Sequence, residues 1–371
     1  MSAQRKDDHV RLAIEQQDTP QGTNQFDEVS FVHHALAGLD RQEVSLATSF
    51  AGLSWPVPLY VNAMTGGSAR TGAINRDLAI AARERGVPIA SGSMNAYFKD
   101  PSCADTFRVL RKENPDGFVL ANVNATASVD NVWRAVDLLA ADAVQIHVNT
   151  AQETAMPEGD RSFASWPGQI EKIAAALDIP VIVKEVGNGL SRQSVQLLRT
   201  LGVAAADVSG RGGTDFARIE NGRRSLGEYA FLHGWGQSAP ACLLDAQDAG
   251  LPLLASGGVR SPLDVARALA LGAHAVGASG VFLRTVLDGG VDALSAQLGR
   301  WLEQLAALQT MLGAPTPAGL TRCDVLVHGS LRDFCADRGI ETGPLARRSS
   351  SGALSSAAPH TTPHSTTGSA R

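Results

Sequence analysis

Residues 143–153 read AVQIHVNTAQE, and this stretch decides the fold. It opens as an apolar strand, yet Gln145, His147 and Asn149 put a polar group at every second position of its later half. Successive strand side chains point to opposite faces, so these three share one face. Burying two amides and an imidazole there costs about 2–7 kcal/mol for each group left without a partner. Gln152 and Glu153 follow just past the strand end. A strand that loads polar groups at its C-terminal end and then adds a carboxylate reads as a site rather than as packing.

Outward from it the same kind of run recurs. Short apolar, small-residue-rich stretches occupy 59–66, 88–93, 118–124, 180–186, 204–210, 251–258 and 275–280. Between them lie segments with helical spacing at 73–85, 129–140, 166–176, 191–201 and 262–271. Alternating strand and helix patterns predict a parallel sheet with right-handed crossovers. Eight strands are the number that closes a TIM (β/α)8 barrel. An open doubly wound sheet also alternates, but no GxGxxG follows the first strand, and polar residues sit at nearly every strand end. The expected organisation is an N-terminal extension over 1–58, a barrel with a C-terminal helical segment over 59–343, and a disordered tail over 344–371. Within the extension, residues 11–17 carry one or two turns of helix. Residues 211–237, rich in Gly, Arg and aromatics, read as an excursion over the barrel mouth, a candidate lid. Residues 321–339 carry helical signals and are expected to pack outside.

Composition narrows the class. A net charge of −5 argues against a general nucleic-acid partner. The sequence has no apolar run of membrane-spanning length, and residues 1–17 lack the apolar core of a signal peptide. Cys103, Cys242, Cys323 and Cys335 are scattered without a CxxC pair, consistent with reduced thiols in a cytoplasmic protein.

The remaining strand ends carry chemistry too. Ala63-Met64-Thr65-Gly66-Gly67 lets backbone approach a flat ligand, with Thr65 as a hydrogen-bonding group; an ordinary turn has the same composition. Ser93 and Asn122 add polar groups at the ends of strands two and three. Lys184, inside VIVKEVG, must have its charge compensated; it could face an anionic ring, form a Schiff base or pair with a carboxylate. Ser209 and Thr214 bracket a glycine-rich loop, and Gly258, Arg260, Ser279 and Gly280 follow strands seven and eight. In TIM barrels those last two loops cradle phosphates with backbone N–H groups. Glu153 is a hard ligand suited to Mg²⁺, or else a helix-start acid favoured by the dipole. The charge run Arg5-Lys6-Asp7-Asp8-His9 is either solvated or folds over the mouth to meet a charged substrate.

RKDDH at 5–9, AMTGG at 63–67, SGSM at 91–94, HVNTAQE at 147–153, VKEVGNG at 183–189, SGRGGT at 209–214 and SGGVR at 256–260 together resemble the type 2 isopentenyl-diphosphate isomerases, FMN-dependent TIM-barrel enzymes. The resemblance covers residues 5–340. It implies that Arg5 and Lys6 hold the substrate diphosphate, with Ser93 and Gln152 also at the substrate. Ala63, Met64, Thr65, Ser93, Asn122, Lys184, Ser209, Thr214, Gly258, Arg260, Ser279 and Gly280 would surround FMN. His147, Asn149 and Gln152 would line the reacting pocket and Glu153 would bind Mg²⁺. It further implies reduced FMN as the active form, NADPH as reductant and a homo-oligomer, a tetramer or octamer. Asn124, where a small residue is expected, and Arg211 depart from the pattern. The rival readings are an FMN-dependent 2-hydroxy-acid dehydrogenase and a non-catalytic flavin-binding barrel.

Overall fold

The alternation closes on itself. The computed structural model of the chain describes residues 2–18 and 23–351, with side chains over 7–18 and 23–350. Eight parallel strands form a closed barrel: Leu59–Val61, Ile89–Ala90, Val119–Asn124, Ala143–Val148, Val181–Glu185, Ala205–Asp207, Leu253–Ser256 and Ala275–Ala278. They are numbered one to eight below. All eight lie inside the runs read from the sequence, whose C-terminal residues become the loops of the mouth. The helices Ala69–Arg85, Val129–Leu139, Trp166–Ala176, Arg192–Thr200 and Pro262–Ala270 follow the five helical segments closely.

The barrel interior explains the strand composition. Its lowest layer holds Tyr60, Leu120, Ile182 and Leu254 from the odd strands, and Ala90, Ala143, Ala205 and Ala275 from the even ones. Large side chains from alternate strands fill the width, and alanines leave them room. The layer is closed from below by a hairpin, Thr48–Phe50 with Leu53–Trp55, which adds Phe50 and Trp55 to the same cluster. Its two-residue turn has positive φ at Ala51 (49°) and Gly52 (75°), the geometry that matches strand twist.

Three sequence expectations are corrected, and one gains detail. The N-terminal helix is Ser2–Asp18, far longer than one or two turns. Residues 321–339 are not simply helical: strand Val325–Val327 pairs antiparallel with Val29–Phe31, and helix Gly329–Asp337 follows. A three-residue VLV has too little length to declare its period, and its partner lies at the other end of the chain. The excursion over 211–237 contains helix Phe216–Gly222 and a 3-10 turn, Ala230–Leu232, and ends against a further helix, Ala239–Ala246. Residues 344–351 are not structureless: Leu345 is buried, Arg348 donates to Ala270 O (2.7 Å), and Ser349 N donates to Asp324 Oδ1 (2.7 Å). The rest of that expected tail, 352–371, lies outside the described residues. Among the described residues no helix is long and apolar enough to cross a membrane.

Candidate active site

Two residues beyond the apolar layer, the strand alternation returns inward with Asn62, Asn122, Gln145, Lys184, Asp207 and Ser256. A polar floor thus rests directly on a dry one. Its centre is Asp207, fully buried, which accepts from Tyr60 Oη (2.6 Å), Asn62 Nδ2 (3.0 Å), Ser256 Oγ (2.8 and 2.9 Å) and Ser209 N (3.1 Å). Burial, reinforced by the Asp207 charge, pushes the Tyr60 phenol well above its ordinary range. Asn62 Oδ1 accepts in turn from Gln145 Nε2 (3.3 Å) and Ala63 N (2.8 Å).

Above this floor opens a cavity of about 1030 Å³. Ala63, Met64, Thr65, Ser93 and Asn122 line it from strands one to three, and His147, Asn149, Gln152, Glu153 and Lys184 from strands four and five. Ser209, Thr214, Gly258, Arg260, Ser279 and Gly280 complete the ring. Every site residue named from the sequence whose side chain is described therefore meets at one mouth. Arg5 and Lys6 lie on the N-terminal helix, with side chains outside the described residues. Asn124 also lines the cavity and donates to Thr126 Oγ1 (2.7 Å). Arg211 is an exposed residue that donates to Gly234 O (2.8 Å) and so braces the excursion rather than the pocket.

Two buried oxygens, Thr65 Oγ1 and Gln145 Oε1, find no hydrogen-bond partner within the described chain. Such groups are costly unless a ligand or water satisfies them. Lys184 is 5% exposed, and its Nζ donates to Glu185 O (3.0 Å). Burial lowers its pKa; Asp207, then Glu185, oppose the shift. The lysine stands at the cavity wall.

The end of strand four is a connected acid–amide cluster. His147 Nδ1 hydrogen-bonds Asn122 Oδ1 (2.8 Å). An amide oxygen only accepts, so Nδ1 carries the proton. Asn149 Nδ2 donates to Gln152 Oε1 (3.0 Å) and Glu153 Oε1 (3.1 Å), and Asp160 N donates to Glu153 Oε2 (2.8 Å). Gln152 Nε2 donates to Glu220 Oε1 (2.8 Å) on the excursion helix. Glu220 is fully buried. Burial would raise its pKa, but His9, Gln152 and Arg223 together carry it down to about 2. His9 Nε2 lies 3.0 Å from Glu220 Oε1.

The opposite rim is built of glycine. Gly257 and Gly258 have φ of 91° and 76°, and a Cβ on Gly257 would stand 1.8 Å from Gly210 O. Strand seven can turn there only without a side chain. Ser279 precedes the long helix Gly280–Leu312, whose first N–H groups and dipole favour an anion. The N-terminal segment is stitched across this rim: Asn24 Nδ2 donates to Gly258 O (2.7 Å), Gln17 Nε2 to Gly280 O (3.0 Å), and Gln16 exchanges two bonds with the Asp215 backbone. Arg260 lines the cavity, yet its guanidinium is committed to Asp27 (2.6 Å) and Asp264 (3.0 Å), which raise its pKa further. Its charge clamps the extension to loop seven.

Sequence reading missed Asn62, Asp207 and Glu220. Asp207 and Asn62 did sit in the inward register, a signal that period-two counting could have used. Glu220 gave none, because it arrives from a helix 68 residues beyond Gln152.

A model of the FMN-dependent dehydrogenases matches residues 108–326. An isopentenyl-diphosphate delta-isomerase of Streptomyces sp. (strain CL190) is 79% identical over 350 residues, 94% of this chain and 96% of that one. The isopentenyl-diphosphate delta-isomerase of Nocardia farcinica is 60% identical, covering 94% and 97%. This chain belongs to the isopentenyl-diphosphate delta-isomerase family. A more distant member, from Latilactobacillus sakei, keeps 44% identity over 91% of this chain and 97% of its own. Solved structures add the fold: a mandelate oxidase (TM-score 0.59, 18% identity, covering 86% and 92%) and flavocytochrome b2 (TM-score 0.60, 19%, covering 85% and 78%) share the barrel of the isomerase family.

Proposed function

We propose that the chain binds FMN and catalyses the reversible 1,3-allylic shift between isopentenyl diphosphate and dimethylallyl diphosphate. The observation that carries this reading is the joining of two half-sites over one polar floor. One is a glycine rim with a helix N-terminus; the other is the Asn149–Gln152–Glu153 cluster. The residues fit FMN. Thr65 Oγ1, orphaned within the described chain, belongs to a residue that lines the cavity and can be satisfied there by a ligand or water, and Gly257 and Gly258 keep loop seven free of side chains. In this reading Ala63, Met64, Thr65, Ser93, Asn122 and Lys184 hold the ring, and Ser209, Thr214, Gly258, Ser279 and Gly280 hold the phosphate end. Arg260 contributes by holding loop seven in place. Reduced FMN, with NADPH as reductant, would supply an electron-rich ring suited to sheltering cationic character next to the alkene.

The side chains do the rest. An unactivated alkene is a poor base, so the pocket must exclude water and fix the carbon that gains or loses the proton. Gln152, held between Asn149 and Glu220, orients the substrate, while His147, fixed by Asn122, shapes the wall. Glu153 supports Mg²⁺ binding. Among the described residues no three His, Cys, Asp or Glu gather around one point. The ion would therefore take one carboxylate, with water and diphosphate oxygens as its other ligands, the usual Mg²⁺ arrangement. Arg5 and Lys6 would meet the same diphosphate. The 2-hydroxy-acid dehydrogenase reading is less well supported, because the relatives at 79% and 60% identity are named isopentenyl-diphosphate delta-isomerases. The same reading has a cytoplasmic homo-oligomer, a tetramer or octamer, which light scattering would measure.

The test is to purify the protein, record its flavin spectrum, and assay isomerisation with NADPH and Mg²⁺ under anaerobic conditions. Gln152→Ala and Glu153→Gln should each lose at least a hundredfold in turnover while FMN stays bound. A yellow protein that oxidises 2-hydroxy acids and leaves isopentenyl diphosphate unchanged would overturn the proposal.

A further inference from the structure

Lys184 and Asp207 are register partners on strands five and six, and both side chains point into the barrel. Four other groups complete the surroundings of the lysine. His147 is its register partner on strand four, Glu185 follows on its own strand facing outward, and Ser209 and Tyr60 lie against Asp207. The hydrogen bond described for Lys184 goes to a neutral backbone carbonyl. Glu185, turned away and itself pushed by burial up to about 7, is a weak counter-charge. Asp207 instead is fastened by four donors, Tyr60 Oη, Asn62 Nδ2, Ser256 Oγ and Ser209 N. Asp207 is therefore held in place at the register position next to Lys184.

We propose that Asp207 is a positioning residue whose buried carboxylate keeps Lys184 an ammonium at the edge of the bound ring. The inference rests on the FMN reading above and deepens it: a cation at the cavity wall, Lys184, has an acidic neighbour buried in the floor, Asp207. Without Asp207, burial is left to set the lysine's protonation, and a neutral amine no longer favours the reduced, anionic ring.

The test compares wild type, Asp207→Asn, Lys184→Met and the double variant, following the FMN midpoint potential from pH 6 to 9. Lys184→Met should lower the potential at every pH. Asp207→Asn should stay near or above wild type at pH 6, then fall toward Lys184→Met as pH rises, with a break that wild type lacks. At pH 8 the expected loss is at least tenfold in stabilisation of the reduced ring, about 30 mV for a two-electron couple. A potential unchanged or raised at every pH, without a break, means that Lys184 stays charged by itself and overturns the proposal. Thermal melts of the FMN-free proteins are an independent measure of the same pairing. At pH 6, where the lysine of Asp207→Asn is expected to be protonated, the variant holds a buried ammonium without its neighbouring carboxylate, so adding Lys184→Met should recover stability or folding; a double variant no better than the single at that pH overturns the pairing. A wild type that binds no FMN sinks the flavin reading alone, and these melts still decide the pairing.

Discussion

Glu220→Gln isolates the charge at the meeting point of three segments. The substitution keeps shape and hydrogen-bonding oxygen but removes the anion that His9, Gln152 and Arg223 surround. The carboxylate falls from an ordinary 4.5 to about 2 in the fold. That shift corresponds to roughly 3 kcal/mol of stability carried by the ionised form. Because the folded pKa is depressed, the contribution is complete above pH 4.5 and is lost as pH falls through about 2. Urea unfolding of wild type and variant between pH 3 and 8 should show a gap of ~3 kcal/mol that is flat above about pH 5.5 and narrows below 4.5. Hydrogen exchange should rise first in Ser2–Asp18 and Phe216–Gly222, the helices that His9 and Glu220 join. A gap under about 1 kcal/mol at pH 7, or one that ignores pH, would refute the reasoning.

Three further outcomes follow from other parts of the molecule. Gly257→Ala should abolish FMN retention while the barrel still folds, since its Cβ would strike Gly210 O at the rim; loss of yellow colour with an unchanged far-ultraviolet spectrum is the check. Trp55→Ala removes the stopper beneath the apolar layer and should cost about 3–5 kcal/mol in urea unfolding, with FMN still bound. Glu185 has the opposite sign to Glu220: burial raises its pKa to about 7, so its penalty grows as pH rises from 4.5 to 7. Glu185→Gln should therefore flatten a decline of up to about 3 kcal/mol across that window, read from unfolding midpoints against pH.

How far the sequence reached depended on distance along the chain. The barrel was legible because each strand–helix unit writes its own period locally, and the polar positions Gln145, His147 and Asn149 broke an apolar run at the mouth. The glycine rim was legible for the same reason. What escaped were contacts made across long loops: Glu220 reaching Gln152, Asp27 capturing Arg260, and Asp324 fixing Ser349. Arg260 shows the difference clearly. Its place after strand seven was correct, but the partner that holds its charge comes from the N-terminal extension. Val325–Val327 was hidden because a three-residue strand is named by its partner rather than by its own sequence.

That small antiparallel pair has a wider bearing. Val29–Phe31 and Val325–Val327 tie the ends of the described chain together, and the helix carrying His9 leaves from one of them. The helix is already joined covalently to the barrel, and the pair fixes a point of the chain that follows it, which raises the effective concentration for its docking. Cutting the chain before residue 325 would leave the barrel strands intact yet release the helix from its mooring. Such a truncation would look like damage to the active site although none of the described residues removed lines the cavity, and supplying the missing segment in trans would be the way to tell the two apart.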